Sequence, residues 1–65
     1  MNIVVNNQTH TIKSQTLVGL IEELSIETLG VAIALNNKVV PRAEWSEVSL
    51  ADGDKIVIVS AVFGG

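Results

Sequence analysis

An α+β domain, one helix on a small mixed sheet of four to five strands, is the fold class this sequence predicts. Three observations predict it. β-Branched apolar runs stand near both ends, in "MNIVV" and "KIVIVSAV". One stretch alone carries the helical period. The segments between are short and broken by Asn, Gly and Pro, as turns require.

The elements follow in order. "MNIVV" reads as a strand entering a turn at "NNQ", and "THTIKS" as a polar return strand with Ile12 facing inward, a hairpin that a sheet edge tolerates. Leu17, Leu20, Ile21 and Leu24 then fall at i, i+3, i+4 and i+7, one stripe of an amphipathic helix. Thr16 is the expected N-cap, its hydroxyl accepting from a free first-turn amide. Gly19 weakens that helix by ~1 kcal/mol relative to Ala, and its missing side chain is expected to bring the helix close to the sheet. The helix is expected to end near Ser25, with Glu22, Glu23 and Glu27 on its solvent side.

"IETLG" is a connection, redirected at Gly30 by a left-handed conformation. "VAIAL" is a short strand, "NNK" turns it, "VV" resumes it, and Pro41 stops it by removing an amide donor. "RAEWSEV" reads as a turn or a single helical turn, and "LADGD" as a turn. In the last strand Ile56, Val57, Ile58 and Val59 are apolar without alternation, which predicts burial on both faces. That strand should be central and parallel to the first. The order β-β-α-β-β-β with this arrangement is the β-grasp.

Composition excludes several functions. Residues 1–65 make one domain, with 62–65 as a projecting tail. With no cysteine there is no disulfide, thiolate nucleophile or zinc-thiolate site. A net charge of −3, from seven acidic against four basic residues, argues against nucleic-acid binding. No apolar run is long enough to cross a bilayer, and "MNIVVNNQTH" has no signal-peptide character, so the expected location is cytoplasmic. Asn7-Gln8-Thr9 matches the glycosylation pattern by chance in such a context.

The inventory for catalysis is thin. His10 is the lone histidine, read as a solvated strand residue rather than a metal ligand. Asp52 and Asp54 around Gly53 read as a turn, since a calcium loop needs oxygen ligands over a longer segment. Glu44 and Glu47 flank Trp45 without the marks of a catalytic pair. The glycines are scattered, so no loop cradles phosphate. Trp45 is read as a plug at the edge of the core, and Arg42 as either solvated or paired with a carboxylate in this chain or on a partner. The chain is not expected to be an enzyme and should hold no metal or stable cofactor.

The end, "VSAVFGG", is either an untidy terminus or a slim lead carrying one reactive group, the carboxylate of Gly65. Glycines would let such a lead enter a channel that side chains block. Activation with ATP would turn the carboxylate into an acyl adenylate open to a sulfur donor or a thiolate. All catalysis would then belong to a partner.

The sequence resembles the ThiS family of sulfur carriers in thiamine biosynthesis, and more broadly the prokaryotic ubiquitin-like carriers. The stretches "NNQ", "TLVGLIEEL", "VAIALNNKVVPRAEW" and "DGDKIVIVSAVFGG" carry the resemblance over essentially the whole chain. The apolar strand before Gly64-Gly65 is shared with other carriers. Val40-Pro41-Arg42 followed by Trp45 is the more discriminating piece. The resemblance implies that a ThiF-type adenylyltransferase, related to ubiquitin-activating enzymes, uses ATP and magnesium to adenylate Gly65. Sulfur from a cysteine desulfurase or another persulfide route replaces AMP, and a ThiG-type thiazole synthase takes it from the resulting thiocarboxylate. Gly65 would carry the sulfur and Gly64 give clearance, while Phe63 and Val62 guide the tail and apolar residues of the uncovered sheet face form the docking patch.

Rival readings share parts of this chemistry. The acceptor pathway could be molybdopterin, tRNA or cysteine synthesis. The chain could be a modifier conjugated through Gly65 to lysines, or a binding module with an idle tail.

Overall fold

The computed structural model describes residues 1–60. The strands are β1 (Asn2–Val5), β2 (Gln8–Thr11), β3 (Val31–Leu35), β4 (Lys38–Val40) and β5 (Lys55–Ser60), with one helix α1 (Leu17–Glu23) and a 3-10 helix (Arg42–Glu47). They form one mixed sheet in the order β2-β1-β5-β3-β4, β5 in the centre, parallel to β1 and antiparallel to β3. This is the β-grasp arrangement expected from the sequence.

Both hairpins turn through Asn-Asn. Asn6 and Asn7 have φ of 48° and 68°, Asn36 and Asn37 of 49° and 71°. Two consecutive positive φ values define the tight turn whose twist matches antiparallel strands, and asparagine tolerates it better than most side chains. β2 ends at Thr11, short of the expected "THTIKS". Ile12 is still buried, while Lys13 and Ser14 leave the sheet to meet the helix.

Thr16 caps α1 by accepting from the Gly19 amide at 3.0 Å. At the other end Ile26 N donates to Ile21 O and Ser25 N to Glu22 O, with Ser25 at φ 53°. That pair of bonds is a Schellman motif in which serine takes the usual glycine place. The role expected of Gly19 is corrected here. A Cβ on it would stand 2.7 Å from Ser14 Cβ and 2.8 Å from Ser14 Oγ, so its close approach is to the β2–α1 connection rather than to the sheet.

The core is Ile3, Val5, Ile12, Leu17, Leu20, Ile21, Ile33, Trp45, Leu50 and Ile56. On β5, Ile56 is buried and Ile58 half-buried, but Val57 is 44 % and Val59 56 % exposed. The expectation of burial on both faces is therefore wrong. The buried side chains of α1 and the 3-10 helix belong to the one core that Ile56 joins, and no second layer covers the opposite face among the described residues.

Glu23 is also more than a solvent-side residue. Its carboxylate accepts from Lys13 N, Ser14 N and Ser14 Oγ at 2.9–3.0 Å. The Lys13 amide first, then the Ser14 amide, hold its pKa below the ordinary carboxylate value, the Ser14 hydroxyl and the Lys13 charge adding to this. A lowered folded pKa means the unfolded chain binds the proton more readily. The contribution is therefore fully present above the unfolded pKa and lost as pH falls through the folded one. Thermal melts across that acid window should show a steeper loss for the wild type than for Glu23→Gln, and superimposable acid limbs would refute the link.

Candidate functional site

The candidate site begins at the strand that leads to the C-terminus. Val62, Phe63, Gly64 and Gly65 lie outside the described residues. The structure shows how the body holds β5 before them. β3 pairs with it along its whole upper part, from Leu35 opposite Ile56 to Val31 opposite Ser60. β1 pairs with it only at Val4 and Val5.

Asparagine side chains extend that grip from both flanks. The Asn6 backbone amide donates to Ile56 O at 2.9 Å. Its side chain then accepts from Ile58 N at 2.8 Å and donates to Ile58 O at 3.3 Å, continuing the ladder past the end of β1. Asn36 accepts from Lys55 N at 2.9 Å, donates through its backbone to Lys55 O at 2.8 Å and reaches Asp54 Oδ1 at 3.1 Å. The repeated "NN" marked both turns in the sequence, but nothing local showed that Asn6 and Asn36 also hold β5. Asn6→Ala removes both side-chain bonds, each worth ~0.5–1.5 kcal/mol. It should lower stability by about 1–2 kcal/mol and speed amide exchange at Ile58, while Asn6→Gly keeps the turn and loses only the bonds. Unchanged Ile58 exchange in both variants would remove Asn6 from the strand's support.

The open face of the sheet carries Val57 and Val59 in the centre, with Ala34 and Ala32 opposite them on β3 and Val39 opposite Ala34 on β4. Val39 is 68 % exposed. Two alanines between the valines make this strip low and smooth. By strand alternation Lys55, Thr9, Thr11 and Asn2 share the same face and give it a polar border.

The residues weighed for catalysis go elsewhere. Asp52 Oδ1 accepts from Asn2 N at 2.6 Å, and Asp54 Oδ2 from Ala51 N at 2.8 Å, so both serve the turn around Gly53. Glu44 and Glu47 are exposed on the 3-10 helix. His10 is half-buried opposite Ile3, less solvated than expected. Among the described residues no group of three His, Cys, Asp or Glu could hold a metal ion, and no helix is long and apolar enough to cross a membrane. A cavity of about 420 Å³ beside β4, lined by Leu35, Lys38, Val40, Glu44 and Val48 among others, brings together no acid–base pair with a nucleophile.

The "VPRAEW" stretch is a structural unit. Trp45 is buried and its Nε1 donates to Val40 O at 2.9 Å, as a core plug should. Arg42 is exposed, as one expectation had it, but its guanidinium is also engaged within the chain. Its guanidinium lies 4.4 Å from the Trp45 ring centroid and donates to Thr28 O.

Comparisons with known proteins agree along the whole chain. The ThiS family model matches residues 3–65. The sulfur carrier protein ThiS of Escherichia coli K12 is 35 % identical, with all of both chains covered. A thiazole synthase of Paramagnetospirillum magneticum is 33 % identical across the whole of this chain, which spans only 20 % of that protein. The crystal structure of the thiamine biosynthesis protein ThiS from Geobacter metallireducens superposes with a TM-score of 0.85 at 25 % identity, both chains fully covered.

Proposed function

This chain belongs to the ThiS family of sulfur carriers, and on that premise we propose that its Gly65 carboxylate carries sulfur for thiamine biosynthesis. Members of this family are carriers rather than enzymes. The observation that carries the finer reading is the family match running through Gly65, which follows in sequence a central strand, β5, held from both sides. A ThiF-type adenylyltransferase, using its own ATP and magnesium, joins the Gly65 carboxylate to AMP with release of pyrophosphate. The terminal sulfur of a persulfide, supplied through a cysteine desulfurase or an equivalent route, attacks the acyl carbon and displaces AMP, giving an acyl disulfide. A thiol of the sulfur-donating partner then attacks the donor's sulfur in that disulfide, which releases the thiocarboxylate and leaves a disulfide on the donor.

Glycines at 64 and 65 suit this role, because a narrow site can close around a backbone without side chains. The absence of cysteine from all 65 residues means no thiol on the carrier can intercept the acyl adenylate. Val62 and Phe63 guide the tail, and the Val57, Val59 and Val39 strip receives the partner. Apolar patches with polar borders are common docking surfaces. A ThiG-type thiazole synthase is the acceptor, supported by the Paramagnetospirillum thiazole synthase that contains a stretch similar to this whole chain.

The test is the intact mass of the protein after incubation with ATP, magnesium, a sulfur source and a ThiF-type enzyme active on its own carrier. Exchange of one oxygen for sulfur, mapped to Gly65, is the expected result. An unchanged mass would overturn the reading.

A further inference from the structure

Leu29 is 86 % exposed, the most exposed large apolar side chain among the described residues. A lone surface leucine is ordinary, so its position decides whether it matters. It sits two residues before Val31, which pairs with Ser60, the last described residue of β5. Gly30, at φ 70°, turns the chain between them. Leu29 thus stands at the end of the sheet from which the chain continues toward Gly65.

The backbone around it is secured on both sides. Leu29 N donates to Glu27 Oε1 at 3.0 Å. Thr28 O accepts from Arg42, which is itself stacked on the buried Trp45. The main chain on either side of Leu29 is thus hydrogen-bonded while the side chain itself faces outward.

Chain length limits what can approach Gly65. Five residues follow Ser60 in the sequence, and at ~3.3–3.6 Å each they span no more than about 18 Å. An enzyme enclosing the Gly65 carboxylate must bring its walls within that distance of Ser60, where Leu29 stands. It must also distinguish this carboxylate from other chain ends, and two glycines offer no side chain for the purpose.

Resting on the sulfur-carrier reading, we infer that Leu29 is a docking anchor for the enzyme that adenylates Gly65, seated in an apolar recess beside the mouth of that enzyme's tail channel. Leu29 then adds to the valine strip and the apolar tail residues an anchor on the body, separate from the reacting end.

Steady-state pyrophosphate release with the adenylating enzyme tests the assignment, comparing wild type with Leu29→Ala, Leu29→Asp and Leu29→Met. Leu29→Ala should raise KM roughly tenfold, the change expected when one buried aliphatic anchor is truncated. Leu29→Asp should raise it further, and Leu29→Met should stay near wild type. kcat and the thermal midpoint should be unchanged throughout, since the side chain contributes little to the fold. KM for Leu29→Ala and Leu29→Asp equal to that of a wild type that is turned over would overturn the anchor alone. A wild type that is never adenylated would overturn the carrier reading and the anchor together.

Discussion

Deleting Gly65 should abolish sulfur loading while leaving the fold intact. The deletion still ends in a glycine carboxylate, that of Gly64, so the chemistry of the terminus is conserved and only its reach changes. One residue shortens the chain by about 3.5 Å. A displacement of even ~1 Å from productive geometry can cost ~10²-fold in rate, so the shortened carrier should show no detectable thiocarboxylate by intact mass under conditions that convert the wild type fully. Gly64→Ala and Gly65→Ala ask the complementary question by keeping the reach and adding one methyl group to a channel that should admit none. Their thermal midpoints should match the wild type. A deletion variant thiolated as fast as the full chain would show that the adenylating enzyme does not measure distance from the body, and the assignment of the reacting carbon to Gly65 would fall.

The largest effect on stability is expected from Trp45→Ala. Trp45 is 7 % exposed within the core, and its Nε1 donates to Val40 O. Truncating a buried large aromatic costs ~3–5 kcal/mol, while a domain of this length has roughly 3–10 kcal/mol in total. Much of the variant population should be unfolded, and the urea midpoint should fall accordingly. Trp45→Phe separates packing from hydrogen bonding, because it fills most of the space and leaves Val40 O without its donor, at about 1–2 kcal/mol. A midpoint unchanged in Trp45→Ala would contradict the structure. The same residue connects the core to the tail end of the sheet, through Arg42 and Thr28 O. Loss of the indole should therefore release the connection before β3 even where the domain stays folded.

This gives the "VPRAEW" stretch a physical meaning. Pro41 ends β4, Arg42 lies over the indole, and Trp45 ties back to Val40. In the structure the stretch is a folding unit that ties β4, the indole and the connection before β3 together.

The open face of the sheet was only partly legible. The sequence led to one helix over a sheet with an uncovered face, but not to the members of that face. The sequence predicts Val57 and Val59 to be buried, because an apolar run looks the same whether one layer or two covers it. Nothing in the sequence sets Leu29 apart within its connection, since exposure is not a property of an isolated residue. Glu23 looked like an ordinary helix-surface acid until Lys13 and Ser14 came to it.

By itself the sequence determined what depends on neighbours along the chain. The leucine stripe made α1, Thr16 capped it, paired asparagines made the tight turns, and the β-branched runs made strands whose order implied the β-grasp. Only the tertiary structure decided what depends on residues far apart. Asn6 reaches Ile58 across 52 positions, and no local pattern encodes such a bond. Likewise, the exposure of Val57 and Val59 follows from how many layers the chain can build. The described residues put their one α-helix and the 3-10 helix into a single core, so the centre of the sheet is buried on one face and open on the other.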